Sequence, residues 1–120
     1  MKERRQYIRI SKFLEVTYRI ADGFLRSGSR SIDVSGRGIR LPTFQRLEPR
    51  TILELEIRLL ESRKSIVATG EVAWLREKRG KQFPYEIGIK FIKIAPIDCE
   101  ILNNFCKRFE ENLTDIGQID

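Results

Sequence analysis

The sequence predicts a mainly β protein, a small antiparallel β-barrel followed by one C-terminal α-helix. Three observations lead to this prediction. Apolar and polar residues alternate along several short segments between residues 13 and 94, which is the period of a half-buried strand. Turn-forming residues separate the segments. After Pro96 the apolar period becomes helical, and closing the strands into a barrel would remove exposed sheet edges.

The first strand is predicted over residues 13–20. Its alternate positions are apolar and occupied by Leu14, Val16, Tyr18 and Ile20. Asp22 and Gly23 have the chemistry of the turn that follows, because both residue types favour tight turns. The polar run at residues 26–31 has the composition of a loop.

The next two strands differ in how clearly the sequence marks them. Ile39 and Leu41 flank Arg40 in a short strand that Pro42 ends. Residues 53–59 then carry leucine or isoleucine at every second position, with charged residues between them, which is the clearest strand pattern in the chain.

Two long strands are predicted over residues 65–75 and 84–94. Both segments are rich in β-branched and aromatic residues, which favour strands. The stretch between them, residues 78–82 with Gly80, suits a hairpin loop, so the two strands should be antiparallel neighbours.

A helix is predicted over about residues 96–113. Pro96 and Asp98 suit a helix start, and Gly117 suits its end. An apolar stripe at helical spacing is formed by Ile97, Ile101, Leu102, Phe105, Phe109 and Leu113. Because the polar face mixes acidic and basic residues, the stripe is expected to face the core or a dimer partner, and not a membrane.

Length and charge limit the classes of function. A chain of 120 residues with 41% apolar content fits one domain with a modest core. The formal net charge of +6 favours an anionic partner, but it does not distinguish a nucleotide from a nucleic acid or an acidic protein surface. No apolar stretch resembles a signal peptide or a membrane span, so a cytoplasmic location is expected.

Catalysis and metal binding are not expected. The chain has no histidine, which excludes the usual catalytic triads and histidine metal sites, and it contains no phosphate-binding glycine motif. Cys99 and Cys106 are the two cysteines. On a helix they would lie about 10 Å apart along the axis, too far for a disulfide, and they are expected to be buried thiols. No cofactor is predicted, and the chain is expected to be a binding module.

Two short motifs carry the binding chemistry. Arg5 and Arg9 are four residues apart, and Asp33, Ser35 and Gly38 follow in the order D-x-S-x-x-G. A guanidinium can bind guanine O6 and N7 or phosphate oxygens, and a carboxylate can accept from guanine N1–H and N2–H. A serine hydroxyl can donate to a phosphate, and glycine lets a ligand approach the backbone. The motifs together predict a small anionic ligand that carries guanine.

These motifs resemble the two-part signature of the PilZ domain, R-x-x-x-R followed by [D/N]-x-S-x-x-G. The resemblance continues through residues 70–74 and 85–91, which are similar to later strands of that family, and it covers about residues 3–95. It implies a six-stranded antiparallel PilZ-type β-barrel with a C-terminal α-helix, in which the sixth strand leads into Asp33 where composition indicates a loop. It also implies binding of the bacterial second messenger cyclic di-GMP. The expected ligand-binding residues are Arg4, Arg5, Arg9, Asp33, Ser35 and Gly38, with Tyr7, Gly36, Arg37 and Trp74 as a second group of candidates.

The same resemblance implies a mechanism. Residues 1–12 are expected to be a flexible ligand-binding segment, and residues 13–120 the barrel with its helix. A ligand would bridge the segment to the Asp33–Gly38 loop and present a new surface to a protein effector in motility, pili, biofilm or polysaccharide production. In the family, an arginine at the place of Arg4 is associated with a stacked pair of ligands, which predicts two molecules per chain.

Plainer interpretations remain open for most of these residues. The arginines could belong to a solvated tail, Asp33 and Ser35 could be turn formers, Gly38 could hold a positive φ, and Trp74 could be a core aromatic. Two other functions also remain open. One is a small basic β-barrel that binds RNA or single-stranded DNA, and the other is a PilZ-like adaptor that works without ligand. The chain could be a monomer or a weak homodimer.

Overall fold

The computed structural model describes residues 7–59 and 64–119, with side chains to residue 110. Within these residues there are seven strands and one helix: β1 (Glu15–Ile20), β2 (Ser27–Arg30), β3 (Asp33–Val34), β4 (Gly38–Thr43), β5 (Ile52–Leu59), β6 (Lys64–Glu77), β7 (Tyr85–Ile94) and α1 (Pro96–Ile119). Neighbouring strands are antiparallel, in the order β2-β1-β5-β6-β7-β4-β3. The predicted mainly β class with a C-terminal helix is confirmed.

The sheet curls into a half-barrel. Its two ends approach each other where the Ser29 hydroxyl of β2 donates to the Pro42 carbonyl of β4, 2.6 Å away. The described part of the chain has one strand more than the six predicted, because β3, only two residues long, pairs with β4 separately. The polar run that composition assigns to a loop contains β2, since pairing with β1 uses the backbone and does not need apolar side chains.

The core lies on the inner face of the curled sheet. On β5 all four predicted inward residues are at most 2% exposed: Leu53, Leu55, Ile57 and Leu59. On β1 the alternation is also confirmed, with Val16 and Tyr18 buried. Gly80 adopts a φ of 72° between β6 and β7, which explains why a glycine serves in this hairpin loop.

The start of α1 is predicted correctly and its end is not. The helix begins at Pro96, and the Cys99 N–H donates to the Ala95 carbonyl at 2.9 Å. It continues to Ile119, past residue 113 and through Gly117. A glycine within a helix costs only about 1 kcal/mol, so helix propagation can continue through it.

The apolar stripe of α1 contacts the sheet from Ile101 onward. Leu102, Phe105 and Cys106 are buried in the core, and Ile101 is partly buried. Ile97, predicted in the same stripe, is 61% exposed and is not part of the core of this chain. The side chain of Leu113 lies outside the described residues. Through this stripe the helix packs beneath the part of the sheet that includes Val34.

Among the described residues before β1, Ile10 forms an isolated β-bridge with Val34 of β3. Ile10 and Val34 exchange two backbone hydrogen bonds of 2.9 Å, and Ile10 is 5% exposed. Residues 7–10 are called the N-terminal arm below. Residues 1–6, which include half of the predicted flexible segment, lie outside the described residues. The division of the chain at residue 12 stays a prediction.

Candidate functional site

Asp33 lies between two arginines at the start of β3. Its Oδ1 accepts from Arg9 Nη1 at 2.7 Å, and its Oδ2 accepts from Arg40 Nη2 at 2.8 Å. Asp33 is 8% exposed, so both cations offset the cost of burying its charge. The structure therefore brings together Arg9 and Asp33, which the sequence predicted as site residues, and adds Arg40, which it did not.

The ion pairs continue from Arg40 to Glu86 and Lys78. Arg40 Nη1 donates to Glu86 Oε2 at 2.9 Å, and Lys78 Nζ lies 3.0 Å from the other oxygen of Glu86. Burial alone would lower the pKa of Arg40, but hydrogen bonds and charge interactions with Asp33 and Glu86 outweigh it and raise that pKa. The result is a line of alternating charges that runs from Arg9 to Lys78.

The loop after β3 is a tight turn built from Ser35. The Ser35 N–H donates to the Gly38 carbonyl at 2.9 Å, and the Ser35 hydroxyl accepts from the Arg37 N–H at 3.1 Å. The Phe91 N–H donates to the Arg37 carbonyl at 2.8 Å, which joins the turn to β7. Ser35 thus has the turn-forming role that local serine chemistry favours.

Gly38 is required by the neighbouring strand. A Cβ at this position would lie 2.4 Å from the Ile89 carbonyl oxygen, so only glycine lets β4 approach β7 this closely. Gly38 does not have a positive φ, and the suggestion that it needs one is wrong. The glycine of the motif therefore supports the sheet at the edge of the site.

Tyr7 lies against the same turn. A Cβ at Gly36 would lie 2.6 Å from Tyr7 Cδ1, and the Arg37 guanidinium is 5.2 Å from the centre of the Tyr7 ring. The N-terminal arm is thus in contact with the turn through an aromatic ring as well as through the Ile10 bridge. Cys99 supports the turn from α1, since its Sγ donates to the Gly36 carbonyl at 3.6 Å.

A cleft of about 390 Å³ opens beside Asp33. It is lined by Arg9, Asp33, Ile39, Arg40, Ala73, Trp74, Gly88, Ile89 and Lys90. Three cations and one carboxylate give the lining a net charge of +2. We call it the Asp33 cleft. An anion would be attracted to it, while the single carboxylate could accept hydrogen bonds from a base.

Trp74 forms the apolar wall of the Asp33 cleft. A Cβ at Gly88 would lie 2.3 Å from the Trp74 ring, so the ring rests directly on the backbone of β7. The Arg76 guanidinium is 4.8 Å from the centre of the ring. Trp74 is partly exposed, and a flat ring in this position can stack on a base.

The remaining predicted site residues are placed differently. Ser35, Gly36, Arg37 and Gly38 form the turn and do not line the Asp33 cleft. Arg4 and Arg5 lie outside the described residues. Sequence reasoning missed Arg40 and Lys90 as residues of the Asp33 cleft. The one signal for Arg40 was its position between two apolar residues of a strand. Alternation places such a residue on the face of the sheet away from the core.

Two other features are absent from the part of the chain that the structure describes. No group of three or more histidine, cysteine, aspartate or glutamate side chains there could hold a metal ion. None of the helical segments among them is long and apolar enough to cross a membrane.

Comparison with known proteins gives one family. A family model for the PilZ domain matches residues 3–108. No curated protein sequence matches the chain.

Several solved structures share the fold. Inhibitor of motility (MotI/DgrA) from Bacillus subtilis has a TM-score of 0.79 at 23% identity, over 92% of this chain and 53% of that chain. The PilZ domain of Escherichia coli YcgR with c-di-GMP has a TM-score of 0.71 at 16% identity, over 97% of this chain and 98% of that chain. The K. pneumonia MrkH–c-di-GMP complex has a TM-score of 0.68 at 14% identity, over 99% of this chain and 57% of that chain. The chain thus spans about half the length of the MotI and MrkH structures.

Proposed function

Because the chain belongs to the PilZ domain family, we propose that it is a receptor for cyclic di-GMP that acts by binding and not by catalysis. One observation carries the proposal. The Asp33 cleft has a net charge of +2 and holds a carboxylate between two guanidiniums. A ligand with two phosphates and two guanines needs both kinds of group, because its phosphates bind cations and its guanine edges donate to a carboxylate.

Arg9 and Asp33 would exchange partners when the ligand binds. Arg9 is 49% exposed in its side chain, so a phosphate can reach its guanidinium from solvent. Once Arg9 turns to the phosphate, Asp33 Oδ1 can accept from guanine N1–H and N2–H. We propose that Arg4 and Arg5 bind the same ligand. Both lie outside the described residues, and their place in the sequence beside Arg9 supports this role.

Trp74 and the turn would complete the site. The Trp74 ring is partly exposed, and a guanine would stack on it by replacing the Arg76 guanidinium. Tyr7 offers a second ring beside Gly36 and Arg37. The Ser35 hydroxyl uses a lone pair to accept from a backbone N–H, and a hydroxyl can also donate to a phosphate. Contact of the turn, including Gly38, with ligand is part of the proposal.

Binding would change the surface around the N-terminal arm. The ion pair between Arg9 and Asp33 ties the arm to β3 in the described structure, and a ligand that replaces it would reposition the arm. The altered surface would then contact a protein effector. In the family such effectors belong to motility, pilus, biofilm and polysaccharide machinery.

The chain provides its own optical probe for this proposal. Trp74 is the only tryptophan and lines the Asp33 cleft, so its fluorescence should change when cyclic di-GMP binds. Calorimetric titration of the same protein should give a lower dissociation constant for cyclic di-GMP than for cyclic di-AMP, GMP or a short RNA. Trp74→Phe should abolish the optical signal. A preference for RNA would replace the proposal with the nucleic-acid alternative, and equal affinity for the two cyclic dinucleotides would contradict guanine recognition.

We also propose that two ligands bind per chain. Two stacked molecules bring four phosphates together, and Arg4 would offset part of their repulsion. Calorimetry at a known concentration of active protein should give a ratio near two for the wild type and a lower ratio for Arg4→Leu. A wild-type ratio of one would contradict this role of Arg4 without affecting the receptor proposal.

A further inference from the structure

Arg40 is held more firmly than Arg9, the other arginine that binds Asp33. Its backbone lies in β4, where it pairs with Asp33 on one side and with Gly88 of β7 on the other. Its carbonyl accepts from the Ile32 N–H at 2.8 Å. The main chain of Arg40 is therefore fixed by strands on both of its sides.

The side chain of Arg40 is fixed as well. One guanidinium nitrogen binds Asp33 Oδ2 and the other binds Glu86 Oε2, at 2.8 and 2.9 Å. The Glu86 side chain is only 4% exposed, and Lys78 binds its second oxygen. A planar fork that is held between two carboxylates has little freedom to turn. Arg9 differs, since it comes from the N-terminal arm and half of its side chain is exposed.

We propose that Arg40 is a positioning residue that holds Asp33 Oδ2 and thereby sets the preference of the Asp33 cleft for guanine. The proposal rests on the cyclic di-GMP function proposed above. When Arg9 leaves for a phosphate, Arg40 keeps the carboxylate in place, so that Oδ1 faces the cleft. Each carboxylate oxygen has two lone pairs, and Oδ2 can hold Arg40 while it accepts a second donor.

Guanine presents N1–H and N2–H side by side, and a fixed carboxylate can accept from both. Adenine has an acceptor at N1 and no amino group at C2, so it cannot make this pair of bonds. A carboxylate that is free to rotate would lose most of this discrimination, because it could turn away from the unfavourable base. The orientation of Asp33 therefore affects selectivity more directly than it affects the attraction of phosphate, which depends on the cations.

Arg40→Lys is the informative variant. It keeps the positive charge next to Asp33 and Glu86, so neither buried carboxylate is left without a cation. A lysine cannot bridge two carboxylates with a rigid planar fork. Arg58→Lys is the matched control, since Arg58 is also an ion-paired arginine on a strand but pairs with Glu15, away from the Asp33 cleft.

The first measurement needs no ligand. Three-bond couplings in isotope-labelled protein report whether the Asp33 side chain occupies one χ1 rotamer. Arg9→Ala removes the other cation on Asp33, as ligand binding is proposed to do, and one rotamer is expected in this variant and in the double variant Arg9→Ala/Arg58→Lys. Averaging among rotamers is expected in Arg9→Ala/Arg40→Lys. A single rotamer in Arg9→Ala/Arg40→Lys, or averaging already in Arg9→Ala, would overturn the role of Arg40.

The second measurement is selectivity. The ratio of the dissociation constants for cyclic di-AMP and cyclic di-GMP should fall about ten-fold in Arg40→Lys, the scale of one charge-assisted hydrogen bond, and stay unchanged in Arg58→Lys. An unchanged ratio in Arg40→Lys would overturn the proposal. A wild type that binds neither nucleotide would instead overturn the receptor function and, with it, the role of Arg40 in base selection. The three-bond couplings would still decide whether Arg40 positions Asp33.

Discussion

The two sides of the candidate site are held in place in different ways. On one side the N-terminal arm meets the sheet at the Ile10–Val34 bridge and at the Tyr7 ring, and it brings a half-exposed Arg9 to Asp33. On the other side the hairpin of β3 and β4, residues 33–43, is paired with β7 along the whole of β4. This difference indicates that the hairpin maintains the shape of the candidate site, while the arm can exchange its contacts with the sheet for contacts with a ligand.

The largest effect is expected from Gly38 on the hairpin side. Gly38→Ala places a Cβ 2.4 Å from a backbone oxygen of β7, and a backbone can give way only if the strands separate. We expect a loss of about 2–3 kcal/mol in the free energy of unfolding, measured by urea denaturation.

The control for this prediction is another strand glycine. Gly28→Ala on β2 has no atom within 4 Å of the new Cβ and should leave stability unchanged or slightly raised. If the two variants unfolded at the same urea concentration, the hairpin would not be the rigid side of the site.

The next effect is expected from the arm. Arg9→Ala should weaken binding of cyclic di-GMP by about 2 kcal/mol, since it removes a charge-assisted contact. The free energy of unfolding should change by less than about 1 kcal/mol, because the ion pair with Asp33 is half exposed on the Arg9 side. Titration and denaturation of the same sample test both parts. A large loss of stability with little loss of affinity would make Arg9 a structural residue.

A smaller effect should come from the helix beneath the bridge. Burial raises the pKa of the Cys106 thiol to about 12, although the charge of Arg9 acts in the opposite direction, and its Sγ donates to the Val34 carbonyl at 3.7 Å. In the unfolded chain the thiol has its ordinary pKa of 9.0. Between about pH 9 and 12 the unfolded state therefore binds fewer protons, and stability falls as pH rises.

The measurement compares the wild type with Cys106→Ala. From pH 8 to pH 10 the wild type should lose about 1 kcal/mol more stability than the variant, and below pH 8 the difference between them should be constant. Alkylation gives a second readout, since the partly exposed Cys99 should react faster than Cys106 in the folded protein. Parallel stability curves up to pH 10 would contradict the burial of this thiol.

The smallest effect is expected where the arm touches the hairpin. Gly36→Ala places a Cβ 2.6 Å from the Tyr7 ring, but a side chain at the protein surface can move aside where a backbone cannot. We expect a loss of only about 0.5 kcal/mol in the free energy of unfolding, far below that of Gly38→Ala in the same turn. Equal losses at the two glycines would show that the arm is as fixed as the sheet.

Local sequence patterns predict the fold class, and the family resemblance predicts one end of the candidate site. Alternation along β5, the hairpin at Gly80 and the change of period after Pro96 are local signals, and each is confirmed because burial of one strand or helix face demands that spacing. The family resemblance predicted Arg9 and Asp33 as ligand-binding residues, and in the structure their side chains form an ion pair of 2.7 Å.

The way the candidate site is held together depends on contacts between distant parts of the chain. Arg40 and Glu86 are 46 residues apart, and β4–β7 pairing brings them to opposite ends of one hydrogen bond, a long-range register that no local pattern encodes. The need for glycine at positions 38 and 88 likewise depends on Ile89 and Trp74 on neighbouring strands. Residue spacing along the chain predicts which face a side chain takes, but only strand pairing determines which charges meet, because electrostatic contacts depend on distance in space.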